Sequence, residues 1–260
     1  MVKKVNHRDT EDTEVAQRRV IKKQPMRVAS GPAGIGNRIL AALPHEEFSR
    51  IQPHLEKIHL EKGKLVYITG DSIQHVYFPV KGLLSLLSAT ETGSTVELAM
   101  VGDEGAVGLP VILKNGMISY DVTVQIPVDA FRIRADVLRK EFDRGERLQE
   151  CMLSYTHTLI AQIAQLSICN RFHTIEKALI RWLLTAQDHV DTDTLNLTQE
   201  NIANALGVAR TAITAAARAL LNAGLIRYSR GSIVILDRAG LETNSCECYR
   251  ILHDELEGIL

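Results

Sequence analysis

The chain reads as an α+β protein: an N-terminal antiparallel β-roll or jelly-roll barrel, a long dimerisation helix, and a C-terminal winged helix-turn-helix. Three stretches carry that reading. Between 58 and 133, short β-branched or aliphatic segments (58–60, 65–68, 75–79, 82–88, 95–101, 121–126 and 129–133) are punctuated by Lys62-Gly63, Gly70-Asp71, Lys81-Gly82 and Thr92-Gly93-Ser94. Many short strands at such spacing predict an antiparallel all-β unit. Residues 147–172 repeat apolar positions at alternating three- and four-residue steps, the period of a helix that pairs. Residues 197–220 have the spacing of a helix-turn-helix, with Ile202 and Ala203 on the inner side of a first helix and Gly207 at the turn.

Composition sets the bounds. At 260 residues, 45% hydrophobic and 23% charged, with net charge −1, the chain has the make-up of a soluble globular protein with room for two modest domains. No run reaches the roughly 18 apolar residues of a membrane span, so no membrane partner is expected. The polar N-terminus lacks the apolar centre of a secretory signal, and a cytoplasmic location is the expectation. Four cysteines, Cys151, Cys169, Cys246 and Cys248, are few and unevenly spaced, which predicts reduced thiols.

In chain order, residues 1–36 alternate Lys/Arg with Asp/Glu and end in a Gly-rich run, which predicts a disordered tail. Residues 37–145 are the β-roll unit. It opens with two short helices marked by Ile39, Leu40 and Leu43, with Pro44 in the first turn of the second. It closes on a short helix over 135–142. Residues 146–172 are the dimerisation helix, with Met152, Tyr155, Leu159, Gln162 and Leu166 as its seam toward a second copy, and Ile160 and Ile163 toward the chain's own barrel. Residues 173–260 form the DNA-binding domain and a C-terminal helix; a helix over 174–188 with Ile175, Leu179, Trp182 and Leu183 inward leads into the helix-turn-helix.

In that motif Ile213, Ala216, Ala217 and Leu220 form the inner face of the second helix, leaving Arg210, Thr211, Thr214 and Arg218 outward. A recognition helix lies in the major groove with its N-terminal residues against base edges. Arg210 is the natural reader, since a guanidinium can donate twice to guanine O6 and N7. Thr198 and Gln199, at the start of the first helix, suit capping and phosphate contact, which set register rather than sequence. Residues 224–237 predict two short strands around a turn at Arg230-Gly231-Ser232, a wing that brings Arg230 to the DNA. Between 196 and 238, Arg210, Arg218, Arg227, Arg230 and Arg238 face only Glu200 and Asp237, so positive charge gathers where phosphate belongs.

Other chemistry is sparse. The nine histidines include no His-Glu-x-x-His, and there is neither a phosphate loop nor a complete dinucleotide fingerprint, so no enzyme is expected. Cys246-x-Cys248-x4-His253 departs from the Cys-x2-Cys of common structural zinc sites, and neither a metal nor any cofactor is expected; a redox pair is the alternative use of the two thiols. Glu97, inside a strand among apolar neighbours, is the barrel carboxylate that stands out, followed by Asp103 and Glu104 in the next turn.

The order of barrel, pairing helix and winged helix-turn-helix, together with Gly63-x6-Gly70-Asp71, Tyr77-Phe78-Pro79-x2-Gly82 and Val101-Gly-Asp-Glu-Gly-Ala-Val-Gly108, resembles the bacterial Crp/Fnr superfamily of transcription regulators from about 37 to 241. The resemblance implies a homodimer on a near-palindromic stretch of double-stranded DNA, with half-sites roughly 34 Å apart and RNA polymerase as a further partner. It also implies a ligand loop at Gly102, Asp103, Glu104, Gly105, Ala106 and Gly108. Members that bind cyclic nucleotides use a glutamate after the loop glycine and an arginine on the next strand; here Ala106 and Asp121 stand there, and an aspartate repels phosphate. Control by cyclic nucleotide is therefore not expected. The family's oxygen sensors hold an iron–sulfur cluster on N-terminal cysteines, and no cysteine precedes Cys151. A second base-reading arginine of well-known members is replaced by Ala215, so readout rests on Arg210, Thr211 and Thr214. The competing readings are a small-molecule sensor with weak DNA binding, cyclic nucleotide among its candidate ligands, and an enzyme built on a barrel.

Overall fold

A fully buried asparagine ties the start of the fold together in the computed structural model, which describes residues 34–113, 116–190, 192–229 and 231–258. Asn37 donates to Pro79 O and Gly105 O at 2.8 and 2.9 Å and accepts from Leu40 N, so each part of its amide has a partner. That cap starts α1 (Arg38–Ala41), and Pro44, with φ −55°, serves as the N-cap of α2 (His45–Ile51), one place ahead of the first turn predicted for it. Residues 1–33 of the expected tail lie outside the described residues.

The predicted strands form, but fewer and longer. β1 (Glu56–Leu60), β2 (Leu65–Tyr67), β3 (His75–Ala89), β4 (Thr95–Val101) and β5 (Asp121–Arg134) pair antiparallel in the order β1-β5-β3-β4, with β2 also on β5. Segments 75–79 and 82–88 are one strand, as are 121–126 and 129–133. Proline and glycine here mark bulges rather than turns: the β3–β5 register shifts between Pro79 and Lys81 and again before Leu83. At Gly82, φ is +91°, and an added Cβ would fall 2.0 Å from Pro127 O on the paired strand. The bend lets β3 and β5 curl around a core of Phe78, Leu84, Val122, Val124 and Ile133.

After α3 (Ala135–Phe142), the helix α4 (Arg147–Phe172) begins where the Glu47 carboxylate of α2 accepts from Arg147 N and Leu148 N at 3.1 and 3.0 Å. An anion on the open N–H groups of a helix start complements its dipole. Arg50 completes the clasp through Glu141 and Glu146.

The predicted seam faces the other way. Met152, Tyr155, Leu159, Gln162 and Leu166 are all buried within the chain itself, against the roll and against α9 (Glu247–Glu257), whereas Ile160 is 62% exposed instead of touching the barrel. Ile163 does pack on the roll core, as predicted. The inward stripe carries the larger side chains, Tyr155 and Met152 among them, and their burial removes apolar surface from water.

The second core joins α5 (Ile175–Asp188), β6 (Thr194–Leu195), α6 (Gln199–Leu206), α7 (Arg210–Asn222), β7 (Ile226–Ser229), β8 (Ser232–Ile235) and α8 (Arg238–Asn244). Trp182, Leu183, Ile202, Ile213, Leu220 and Ile233 fill it, and Leu83 and Met100 of the roll enter the same cluster. The wing sheet runs β6-β8-β7; its two-residue β6 was not predicted.

Gly82→Ala is expected to destabilise the protein by about 1–3 kcal/mol from backbone strain alone, with the overlap on Pro127 adding to it. Urea denaturation of the variant beside the wild type measures this, and an unchanged midpoint contradicts the bulge account.

Candidate nucleic-acid interface

Local chemistry builds the helix-turn-helix. The Thr198 Oγ1 accepts from Asn201 N and the Asn201 Oδ1 accepts from Thr198 N, both at 3.1 Å, a reciprocal cap on the first turn of α6. Gly207 ends α6 at φ +66°, and Ala209 opens α7. Ile213, Ala216, Ala217 and Leu220 are buried, so Arg210, Thr211, Thr214, Ala215 and Arg218 form the exposed face, as the spacing predicts. Thr214 Oγ1 donates to Gln199 Oε1 at 2.7 Å, linking the start of α6 to the outer face of α7. Arg210 Nε lies 3.9 Å from Glu200 Oε2 with both side chains largely exposed, a loose pair in water.

The predicted arginine field is only partly available. Arg238 is engaged by Asp188, Glu242, Gln187 and the Tyr249 hydroxyl, so it is a structural tie rather than a phosphate contact. Arg227 and Arg218 are exposed, and Arg230 lies outside the described residues.

In the roll, the expected ligand loop is packed from within. Gly102 N donates to the Glu104 carboxylate, whose Oε2 sits 3.3 Å from His189 Nδ1 at the end of α5, both groups being buried. An added Cβ at Gly105 would meet the Tyr155 ring at 2.4 Å, and Ala106 is buried. Burial, with Glu104 beside it, pushes the Asp103 carboxyl up. Asp121 accepts from Thr69 N and Oγ1 at 2.8 and 3.0 Å, at the start of β5.

Glu97 bridges the two cores. Its Oε1 accepts from Trp182 Nε1 of α5 at 2.9 Å, while Oε2 accepts from the Ser85 hydroxyl of β3. Burial lifts its pKa from 4.5 to about 7, against the opposing pull of the Ser85 hydrogen bond, the Arg181 charge and Trp182. The sequence singled out this carboxylate but not its indole partner 85 positions away. Cys246 and Cys248 are brought to Cys169 and His173, while His253 lies instead beside the Tyr249 ring.

A β-roll whose loop and strands pack onto a winged helix-turn-helix with an exposed, arginine-bearing second helix defines a DNA-binding transcription regulator. Residues 57–144 match the cyclic nucleotide-binding domain and residues 177–243 the Crp-like helix-turn-helix domain. With both domains in this order, the chain belongs to the Crp/Fnr superfamily. It is 23% identical over 191 residues to the global nitrogen regulator of Synechococcus elongatus, covering 70% of this chain and 86% of that one. Its fold is similar to that of a Crp/Fnr-family transcriptional regulator of Eubacterium rectale (TM-score 0.63, 23% identity, 80% of this chain and 95% of that one). It is also similar to FixK2 of Bradyrhizobium japonicum (TM-score 0.63, 15% identity, 74% and 98%).

A carboxyl whose folded pKa stands near 7 holds a proton that the unfolded chain releases near 4.5. Its contribution is therefore fully present below about 4.5 and is lost as pH rises through about 7. Glu97→Gln is expected to flatten this dependence, gaining on the order of 2–3 kcal/mol relative to wild type at the alkaline end. Denaturation series from pH 4 to 8 read it directly, and parallel curves for the two proteins contradict it.

Proposed function

We propose that this protein is a homodimeric, sequence-specific DNA-binding regulator that works without cyclic nucleotide and without catalysis, reading base edges with Arg210, Thr211 and Thr214. The observation that carries this is the division of α7: one face is sealed into the core, and the other offers a guanidinium, two hydroxyls and Arg218 to the groove. Thr198 and Gln199, with Arg218 and Arg230, contact phosphate and fix register. RNA polymerase is a further partner by family likeness. Among the described residues no helix is long and apolar enough to cross a membrane, which agrees with a protein that meets DNA in the cytoplasm.

The dimer forms along the face of α4 opposite to the predicted seam. Leu153, His157, Ile160, Ala164 and Ile168 are exposed at three- and four-residue steps, and Leu153, Ile160 and Ile168 are 48%, 62% and 46% exposed. Such a stripe on a 26-residue helix suits an isologous contact with its own copy, side chains of one helix seating between those of the other.

Independence from cyclic nucleotide is supported by the loop: Tyr155 closes over Gly105, and Asp121, facing Thr69, would repel a phosphate brought to that strand.

Arg210→Ala is expected to cost about 1–3 kcal/mol at one base position of a selected operator and to relax specificity there, measured by gel-shift titration at several salt concentrations. Wild-type affinity in the variant, or no sequence preference in the wild type, contradicts the reading. Adding cyclic AMP or cyclic GMP leaves the wild-type affinity unchanged if the loop is closed to them. Ile160→Glu is expected to give folded monomers by ultracentrifugation, whereas Leu159→Glu, on the buried face, unfolds the chain; folded Ile160→Glu dimers rule out this interface.

A further inference from the structure

The C-terminal end of α4 and the start of α9 converge on a cluster that no part of the DNA-reading machinery uses. Cys169 stands in the last turn of α4 and His173 is the C-cap that follows that helix, while Cys246 and Cys248 are at the N-cap and first turn of α9. Their ligand atoms, three thiol sulfurs and an imidazole nitrogen, all lie within 4.8 Å of one another, the three cysteines being buried and the histidine half-buried. We propose that Cys169, His173, Cys246 and Cys248 form a tetrahedral site for a single soft divalent cation of the zinc type.

Two of the edges have the length that such an ion needs, and the remaining pairs stay within 4.8 Å. A tetrahedral zinc ion with Zn–S about 2.3 Å and Zn–N about 2.0–2.1 Å sets sulfur–sulfur edges of about 3.8 Å and sulfur–nitrogen edges of about 3.5–3.6 Å. Cys169 Sγ and Cys246 Sγ are 3.8 Å apart, and Cys248 Sγ and His173 Nδ1 are 3.5 Å apart. Donors bound to different irons of an iron–sulfur cluster are held farther apart than the 4.8 Å that bounds all four atoms here, so the spacing favours one ion.

The surroundings are those of a ligand set. With Nδ1 aimed at the thiols, His173 turns Nε2 toward the Glu247 carboxylate at 3.4 Å, the carboxylate–histidine arrangement that fixes a ligand's tautomer and orientation. Gln165 Nε2 donates to Cys248 Sγ at 3.0 Å and Arg181 Nε to Cys169 Sγ at 3.3 Å, N–H donors that suit thiolate sulfur. Three thiolates and a dication leave one net negative charge, and the buried Arg181 guanidinium stands beside it to neutralise it. As each sulfur–metal bond forms, the cysteine releases its proton to solvent, and the ion leaves with its charge unchanged on removal. The bound ion would staple the end of α4 to α9 across the turn that leads into α5.

Full-length protein purified under reductant is stripped and titrated with Co2+, then Zn2+, with elemental analysis alongside. The expected result is one ion per chain, thiolate-to-cobalt charge-transfer absorption with tetrahedral ligand-field bands, and displacement of Co2+ by Zn2+. His173→Cys keeps the ion and shifts those bands, Glu247→Ala loosens binding about 10–100-fold, and Cys151→Ser changes nothing. A wild-type protein without the charge-transfer absorption overturns the proposal. So does a Cys246→Ser/Cys248→Ser double variant with the wild-type spectrum, or iron accompanied by acid-labile sulfide.

Discussion

The rotation of one helix about its own axis governs what each part of this molecule can do. A helix of 26 residues lying between two domains can give only one stripe to its own chain, and α4 gives the stripe of Met152, Tyr155, Leu159, Gln162 and Leu166. That choice closes Tyr155 over the loop glycine Gly105, brings Cys169 under α9, and leaves Leu153, Ile160 and Ile168 to solvent. The Glu47 carboxylate at its first turn fixes where the helix starts, and with it the register of every contact below.

Periodicity told much of this, but not the direction. Residues 135–142 and 147–172 are helical at the bounds their pattern predicts, and the inner and outer faces of the recognition helix follow from spacing alone. Two three-four repeats run along α4, however, and sequence shows only that both exist. The richer one suggests the seam, whereas burial within the chain claims the larger side chains first, as hydrophobic area dictates. Lys81-Gly82 reads as a turn for a related reason: the residues that make turns are also those that let a long strand bend without losing its partner.

Contacts distant in sequence were the least legible. Nothing near Cys246 announces Cys169, which stands 77 positions earlier, and the nearby His253 drew attention from His173. The usable signal was the Cys169-x3-His173 pair, a four-residue step that places two donors together at the end of a helix. Likewise Glu97 could be marked as an odd acid in an apolar strand, but its meaning depends on an indole from the other domain. A carboxyl held between Ser85 and Trp182 makes the junction between the two units polar at its centre, where an apolar contact would slide and a directional one does not.

The first helix of the DNA-reading motif also leans on the roll. Thr95 Oγ1 donates to Asn204 O at 3.1 Å, Lys62 reaches Asn196 O, and at Gly207 even a methyl group would come within 3.3 Å of Val96. The reading head therefore rests on the turn between β3 and β4, and any shift of that turn toward α6 presses at once on Asn204 and Gly207, at the threshold of the recognition helix.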